Sequence, residues 1–249
     1  MIDLPWTTLV GAAAVVALAY VVYGLTGFGA SIVAIPFLAH IFPLRFAVPM
    51  MLLFDLAAGV LLGLRHRRIV DWRELLRLAP WLLVGMAFGL TLLVQAGERA
   101  LLALLGAFVL AYASWSLFNR AALQPVSTRW SAPAGLVGGA FTSMFGTGGP
   151  IYTIYLARRL PDKNVLRASI SLLILCTALV RLVLFAGSGL YQQPGLLPLA
   201  LMLMPAAYLG FVGGSRLHAS LPPQRAVKAV WALLILGSIG LLARAFTLG

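Results

Sequence analysis

Charge is what this chain has least of. Of 249 residues, 10% are charged and only six are acidic. A water-soluble domain carries about a quarter charged residues. With 62% hydrophobic residues and a mean hydropathy of +1.01, polar side chains could not cover a water-facing surface. The chain therefore reads as an integral membrane protein. A single cysteine, Cys176, excludes a disulfide framework and a cysteine-based metal cluster. The apolar runs lack strict two-residue alternation, which argues against an outer-membrane barrel. The N-terminus carries Asp3 and no cationic leader, so residues 1–23 are expected to be the first span, not a cleaved signal.

Catalytic patterns are also missing. There is no HExxH, no phosphate-binding GK[ST] and no acid near a serine–histidine pair. His40, His66 and His218 fall at span ends or in loops, at spacings that make no metal site. Neither an enzyme nor a cofactor is expected. The net charge of +12 would suggest nucleic acid in a soluble protein. Here the basic residues lie in gaps between apolar runs, as membrane topology requires, so no nucleic-acid partner is expected.

The apolar segments are 5–24, 28–42, 46–64, 78–95, 98–118, 131–145, 147–157, 166–187, 196–215 and 227–247. A membrane helix needs about 20 residues, so the chain holds about eight to ten membrane helices and little else. Three gaps are clearly basic: Arg65 to Arg77, Arg158 to Arg167, and Arg216 to Lys228. A weaker one lies around Arg120 and Arg129. The positive-inside rule puts these in the cytoplasm. Residues 131–157 must then enter and leave from the same face, and about 27 residues do not make two full spans. They fit two short helices meeting at Gly146-Thr147-Gly148-Gly149-Pro150. The same parity makes 5–24 and 28–42 a second broken pair, interrupted at Gly24 to Gly29.

Landmarks recur in the same order. Gly27-Phe28-Gly29-Ala30 matches Gly146-Thr147-Gly148-Gly149. Pro43 with Arg45 matches Pro161 with Lys163. Pro80, Gly85 and Gly89 share their spacing with Pro205, Gly210 and Gly214, and Arg99 and Arg225 open the last helix of each half. The expected architecture is all-α, with two inverted-topology repeats, 1–120 and 130–249, joined by a linker at 121–129. Each repeat holds a broken or re-entrant pair and three spans.

Three stretches resemble the TauE/SafE sulfite-exporter family of anion transporters: GLTGFGASIVAIPFL, GGAFTSMFGTGGPIY and LLFDLAAGVLLGLRHRRIVDWREL. The resemblance runs through nearly the whole chain. The second half departs from the first at one place, with Tyr155 where the first has Pro36, and with Pro150 directly after the glycines. The resemblance implies sulfite, organosulfonate or a related anion as substrate and a multi-pass protein of the bacterial inner membrane.

A helix break inside a bilayer is tolerated only where protein or a watery cavity covers its backbone. The half-helix beyond it aims its N–H groups and positive dipole end at that cavity. Candidate substrate contacts are therefore Thr26, Gly27, Phe28, Gly29 and Ser31 in the first half. In the second they are Gly146, Thr147, Gly148, Gly149 and Tyr152, with hydroxyls of Thr142 and Ser143 nearby. Close helix packing is the competing explanation for glycine. It is preferred for Gly59/Gly63, Gly85/Gly89 and Gly210/Gly214, which lie on unbroken helices.

Asp55 is the only acid well inside a span, and such a group usually marks function. It could carry a coupling proton, pair with a cation or hold the glycine loop. Arg181 is the only arginine within a span, about 10 Å from its outer end. It either snorkels outward, or faces the bundle and attracts the anion or pairs with Asp55. The expected partners are a small anion and membrane lipid, with the oligomeric state open between one chain and a homodimer. An anion channel is the alternative to a transporter. An intramembrane enzyme would need a second polar group opposite Asp55, and a structural subunit would leave the glycine breaks unexplained.

Overall fold

The computed structural model describes residues 5–26, 29–63, 69–118, 124–218 and 223–247, excepting the side chains of 26, 59–63, 118, 218 and 223–231. Among the described residues there are ten α-helices and no strand. They are α1 (Trp6–Thr26), α2 (Ala30–Leu38), α3 (Leu44–Gly63), α4 (Trp72–Gln95), α5 (Glu98–Phe118), α6 (Ser131–Phe145), α7 (Gly149–Arg159), α8 (Lys163–Gly187), α9 (Leu196–His218) and α10 (Pro223–Thr247). Five of them (α1, α4, α5, α8 and α9) are long and apolar enough over their described residues to cross a membrane.

Both predicted breaks interrupt the helices, but the first begins later than its predicted start at Gly24: α1 continues to Thr26, and Gly24 is a helical glycine packed on the α9 backbone at Phe211 and Ser215. Gly29, at φ 90°, precedes α2, and Gly146, at φ 68°, ends α6. Those backbone angles suit glycine, whose missing Cβ removes the left-handed clash. The two pairs are unequal. α1 has 21 residues against 9 in α2, while α6 has 15 against 11 in α7. α4 and α8 begin earlier than their apolar runs. The Asp162 side chain accepts the Asn164 and Val165 N–H groups, and Asp71 accepts that of Glu74. Such caps extend a helix through a polar first turn that hydropathy alone leaves out.

The chain divides into two compact units, each drawing helices from both halves of the sequence. Unit 1 comprises residues 1–54, 96–120 and 190–249; unit 2 comprises 55–95 and 121–189. In unit 1, α1 packs on α9 and α5 on α10, and α2 lies against α1 and α10. The α1–α9 contact is backbone on backbone: a Cβ on Gly210 would strike the Ala17 carbonyl oxygen, and one on Gly214 that of Val21. In unit 2, α4 packs on α6 in the same manner. A Cβ on Gly85 would strike the Leu136 carbonyl oxygen, and one on Gly89 that of Ala140. These glycine pairs are packing faces, as their place on unbroken helices suggests. The surroundings of Gly59 and Gly63 lie outside the described residues.

Candidate functional site

In unit 2 the sequence-predicted residues converge around the second break. The Gly146 N–H donates to the Thr142 carbonyl at 2.8 Å, and the Thr147 N–H reaches the Phe141 carbonyl at 3.3 Å. α7 then starts at Gly149, with Pro150 in its first turn. Proline supplies no N–H, and the Ile151 N–H turns back to the Gly148 carbonyl at 3.0 Å. Among the described residues, the Gly148 and Gly149 N–H groups donate to no backbone acceptor. They are the uncapped, positive end of α7.

Two buried hydroxyls precede that end in the chain, one in the last turn of α6 and one in the break itself. Ser143 is 0% exposed and Thr147 1%, and neither hydroxyl oxygen has a hydrogen-bond partner in the structure. Native proteins rarely leave such groups unsatisfied, because each costs about 1–3 kcal/mol when dry and unpaired. Thr142 is different: its hydroxyl donates to the Gly138 carbonyl at 2.7 Å, inside α6.

The two glycines of the break have separate tasks. A Cβ on Gly148 would collide with the Gly138 carbonyl oxygen and the Thr142 hydroxyl, so packing against α6 accounts for this glycine. At Gly149 the nearest atom to an added Cβ is the Tyr152 hydroxyl, 3.7 Å away. Packing against α6 therefore does not account for Gly149 as it does for Gly148.

Tyr152 is 2% exposed, and its hydroxyl has the Thr177 and Thr142 side chains as hydrogen-bonding neighbours. The charges of Arg181 and Asp55 both act on that hydroxyl. Arg181 and Thr177 come from α8, whose buried stripe runs Ser169, Leu173, Thr177, Arg181 and Phe185, one residue per turn. Arg181 is 3% exposed, with its guanidinium carbon 5.3 Å from the Phe185 ring centroid. Its side chain is turned into unit 2, not along the helix surface. Asp55, in α3, is half-buried.

Of the first-half candidates, Gly27, Phe28 and the Thr26 side chain lie outside the described residues. In unit 1, Gly29 precedes α2 and Ser31 is buried in its first turn at 3% exposure.

A constellation with no sequence-level role sits elsewhere in unit 2. Glu74 is 4% exposed. Its carboxylate accepts from Arg159 Nη2 at 2.7 Å and Nε at 3.2 Å, from Arg77 at 2.6 Å, and from the Tyr155 hydroxyl at 2.8 Å. Arg159 also donates to the Val126 carbonyl at 3.1 Å. The signal for Glu74 was a lone glutamate within the basic gap Arg65 to Arg77, at the head of a helix. It resembled an ordinary first-turn glutamate, which the helix dipole favours.

No solved structure matches the chain. It is similar to a probable inner membrane transporter protein, TsaS, of Comamonas testosteroni, with 30% identity over 77% of this chain and 81% of that protein. Residues 12–241 match the family described as sulfite exporter TauE/SafE. That match takes in both glycine breaks, the buried cluster on α8 and the head of α4: the chain belongs to the TauE/SafE family and is a multi-pass transporter of the inner membrane.

Proposed function

We propose that the chain carries a small sulfur oxyanion, sulfite or an organosulfonate, and that the second break is a binding site for it. The observation that carries this reading is the pair of buried, unpartnered hydroxyls of Ser143 and Thr147 beside the open N-terminus of α7. Hydroxyl donors, free N–H groups and a positive dipole end suit an anion with several acceptor oxygens. Tyr152 extends the polar lining toward Thr177 and Arg181. A guanidinium offers a planar fork that matches sulfonate oxygens. Asp55 and Arg181 act on the Tyr152 hydroxyl with opposite sign.

We also infer that the two halves are repeats. Gly29 and Gly148, Ala30 and Gly149, and Leu44 and Lys163 are each 119 residues apart, and they begin or precede equivalent helices. Gly85 and Gly210, Gly89 and Gly214, and the first residues of α5 and α10 are each 125 apart. The carbonyls that those glycines meet correspond too: Ala17 with Leu136 and Val21 with Ala140, again 119 apart. On this reading the first break, with Gly27, Gly29 and Ser31, is the counterpart site, and the repeats have the inverted topology common among secondary transporters.

The test is reconstitution into liposomes and uptake of sulfite, sulfoacetate, thiosulfate and chloride, with and without a pH gradient. Saturable uptake of sulfite or sulfoacetate, competed by the other, is the expected result. Rapid, non-saturating chloride flux would make the protein a channel. Uptake of none of the four would remove the substrate assignment.

A further inference from the structure

The clasp on Glu74 joins three helices of unit 2. Asp71 caps α4 by accepting the Glu74 N–H at 3.0 Å. In a capping box the glutamate three residues on would reach back to the cap residue's own N–H. Here that N–H donates instead to Ser169 Oγ of α8 at 3.1 Å. The Glu74 carboxylate is thereby released for α7, where it takes Tyr155 and Arg159.

Tyr155 and Arg159 are one turn apart, and Tyr152 lies one turn earlier on the same face of α7. Tyr152, Tyr155 and Leu156 share one apolar cluster with Leu75, Leu78 and Leu82 of α4 and Leu173 of α8. Apolar packing alone is non-directional and would let a short helix turn about its axis. The two bonds from Arg159 to Glu74 Oε1 and the short bond from the Tyr155 hydroxyl to Oε2 fix one rotation. Since α7 is one continuous helix of 11 residues, that rotation also bears on where Tyr152 and the Gly149 N–H point.

The clasp has no counterpart in the other half. At the 119- and 125-residue offsets, Glu74 corresponds to Leu199, Tyr155 to Pro36, Arg159 to His40 and Ser169 to Met50. Leu199 and Met50 are buried apolar side chains. The departure at Tyr155 thus coincides with the gain of an ionic anchor.

We propose that Glu74 is a positioning residue for the anion site: held by Tyr155 and Arg159, it fixes the rotation of α7 and so aims Tyr152 and the α7 N-terminus at the substrate. The inference rests on the site assigned above to the second break. Glu74 never touches substrate, and its effect runs through α7.

The experiment compares Glu74→Gln, Glu74→Asp and Tyr155→Phe with wild type in two measurements. The first is concentration-dependent sulfite uptake in proteoliposomes, normalised to folded protein. Glu74→Gln should raise KM by about tenfold with Vmax little changed, because a misaimed site binds less well. Tyr155→Phe keeps the ion pair and should shift KM in the same direction by less. The second is amide hydrogen exchange in detergent, where peptides covering Ile151 to Arg159 should exchange about tenfold faster in Glu74→Gln while those of α6 stay unchanged. Faster exchange in α7 with an unchanged KM would make the clasp merely structural and overturn the proposal. Unchanged exchange in α7 would overturn it as well. If Glu74→Gln does not fold, Glu74→Asp and Tyr155→Phe carry both measurements. Should wild type take up none of the anions, the substrate reading fails by itself, and the exchange measurement still decides whether Glu74 aims α7.

Discussion

Glu98 Oε1 accepts the Leu44 N–H at 2.8 Å, so the first residue of α5 caps the first turn of α3 from 54 positions away. Next to it, Arg45 donates to the Ala96 carbonyl at 2.8 Å, and Gln193 donates to the Arg45 carbonyl at 2.8 Å. These three bonds tie the ends of α3, α5 and the turn before α9 within unit 1. Removing a cap costs about 1 kcal/mol, so Glu98→Ala should lower the thermal midpoint in detergent by a few degrees. Glu98→Gln keeps an acceptor and should lose less. Equal midpoints for Glu98→Ala and wild type would show that the cap contributes nothing.

Neighbouring glycines in α9 should respond with opposite sign. A Cβ on Gly214 would enter the backbone of α1 at Val21, whereas one on Gly213 meets nothing within 4 Å. Overpacking costs about 1–3 kcal/mol, and here the obstacle is backbone that cannot rotate away. Gly214→Ala should therefore reduce folded yield and the thermal midpoint. Gly213→Ala lies in open space within a helix and should be neutral or stabilising by up to about 1 kcal/mol. A fluorescence size-exclusion profile with a heating step measures both, and parallel behaviour of the pair would contradict the packing account.

The glycines of the second break separate in the same way, but by function. Gly148→Ala drives its methyl into Gly138 and Thr142 and should appear as lost folded protein. Gly149→Ala has room, with the Tyr152 hydroxyl 3.7 Å away, and should fold. Its methyl stands in the space that the proposed anion uses. Sulfite KM should rise by several-fold in Gly149→Ala at normal expression, and an unchanged KM would remove Gly149 from the site.

Much of this architecture was legible in the sequence because membrane chains punctuate it strongly. Glycine clusters inside apolar runs located both breaks, and paired glycines on unbroken runs marked α4 and α9 as closely packed helices without naming their partners, α6 and α1. Helix starts were less legible, since Asp71 and Asp162 extend α4 and α8 into polar sequence. The compact units were not legible at all. Each mixes helices from both halves, and nothing local in α4 says that its glycines meet α6. Glu74 escaped for a related reason. Its partners Tyr155 and Arg159 are 81 and 85 residues away; in the sequence one stands out only as the counterpart of Pro36 and the other only as part of a basic gap. The Arg77 and Arg159 gaps, both assigned to the same membrane face, do meet on that one carboxylate.

The charges around Tyr152 give the sharpest prediction. Arg181 and Asp55 both act on its hydroxyl, one positive and one negative, from α8 and α3. Arg181 is buried, so its charge is poorly screened by water. On the proposed reading, an anion at this site would meet the guanidinium, partly balanced by the carboxylate. Asp55→Asn keeps the shape and most hydrogen-bonding capacity but deletes the negative charge. The site then becomes more positive, and a change of about 1.4 kcal/mol in anion binding would be tenfold in affinity. Sulfite should bind more tightly in Asp55→Asn and leave more slowly, so that KM and Vmax fall together. Arg181→Gln should do the reverse to affinity, raising KM by about tenfold or more. The double variant restores neutrality without the guanidinium fork, so its KM should lie between those of the single variants. A double-variant effect that departs from the sum of the single effects is expected for charges sharing one neighbour, and additive effects would mean that the two side chains act on the anion independently. A higher KM in Asp55→Asn than in wild type would overturn the charge-balance account. Asp55 would then act by holding structure or by carrying the coupling proton. Uptake driven by a pH gradient separates those two, because only the loss of a proton carrier abolishes accumulation while leaving counterflow intact.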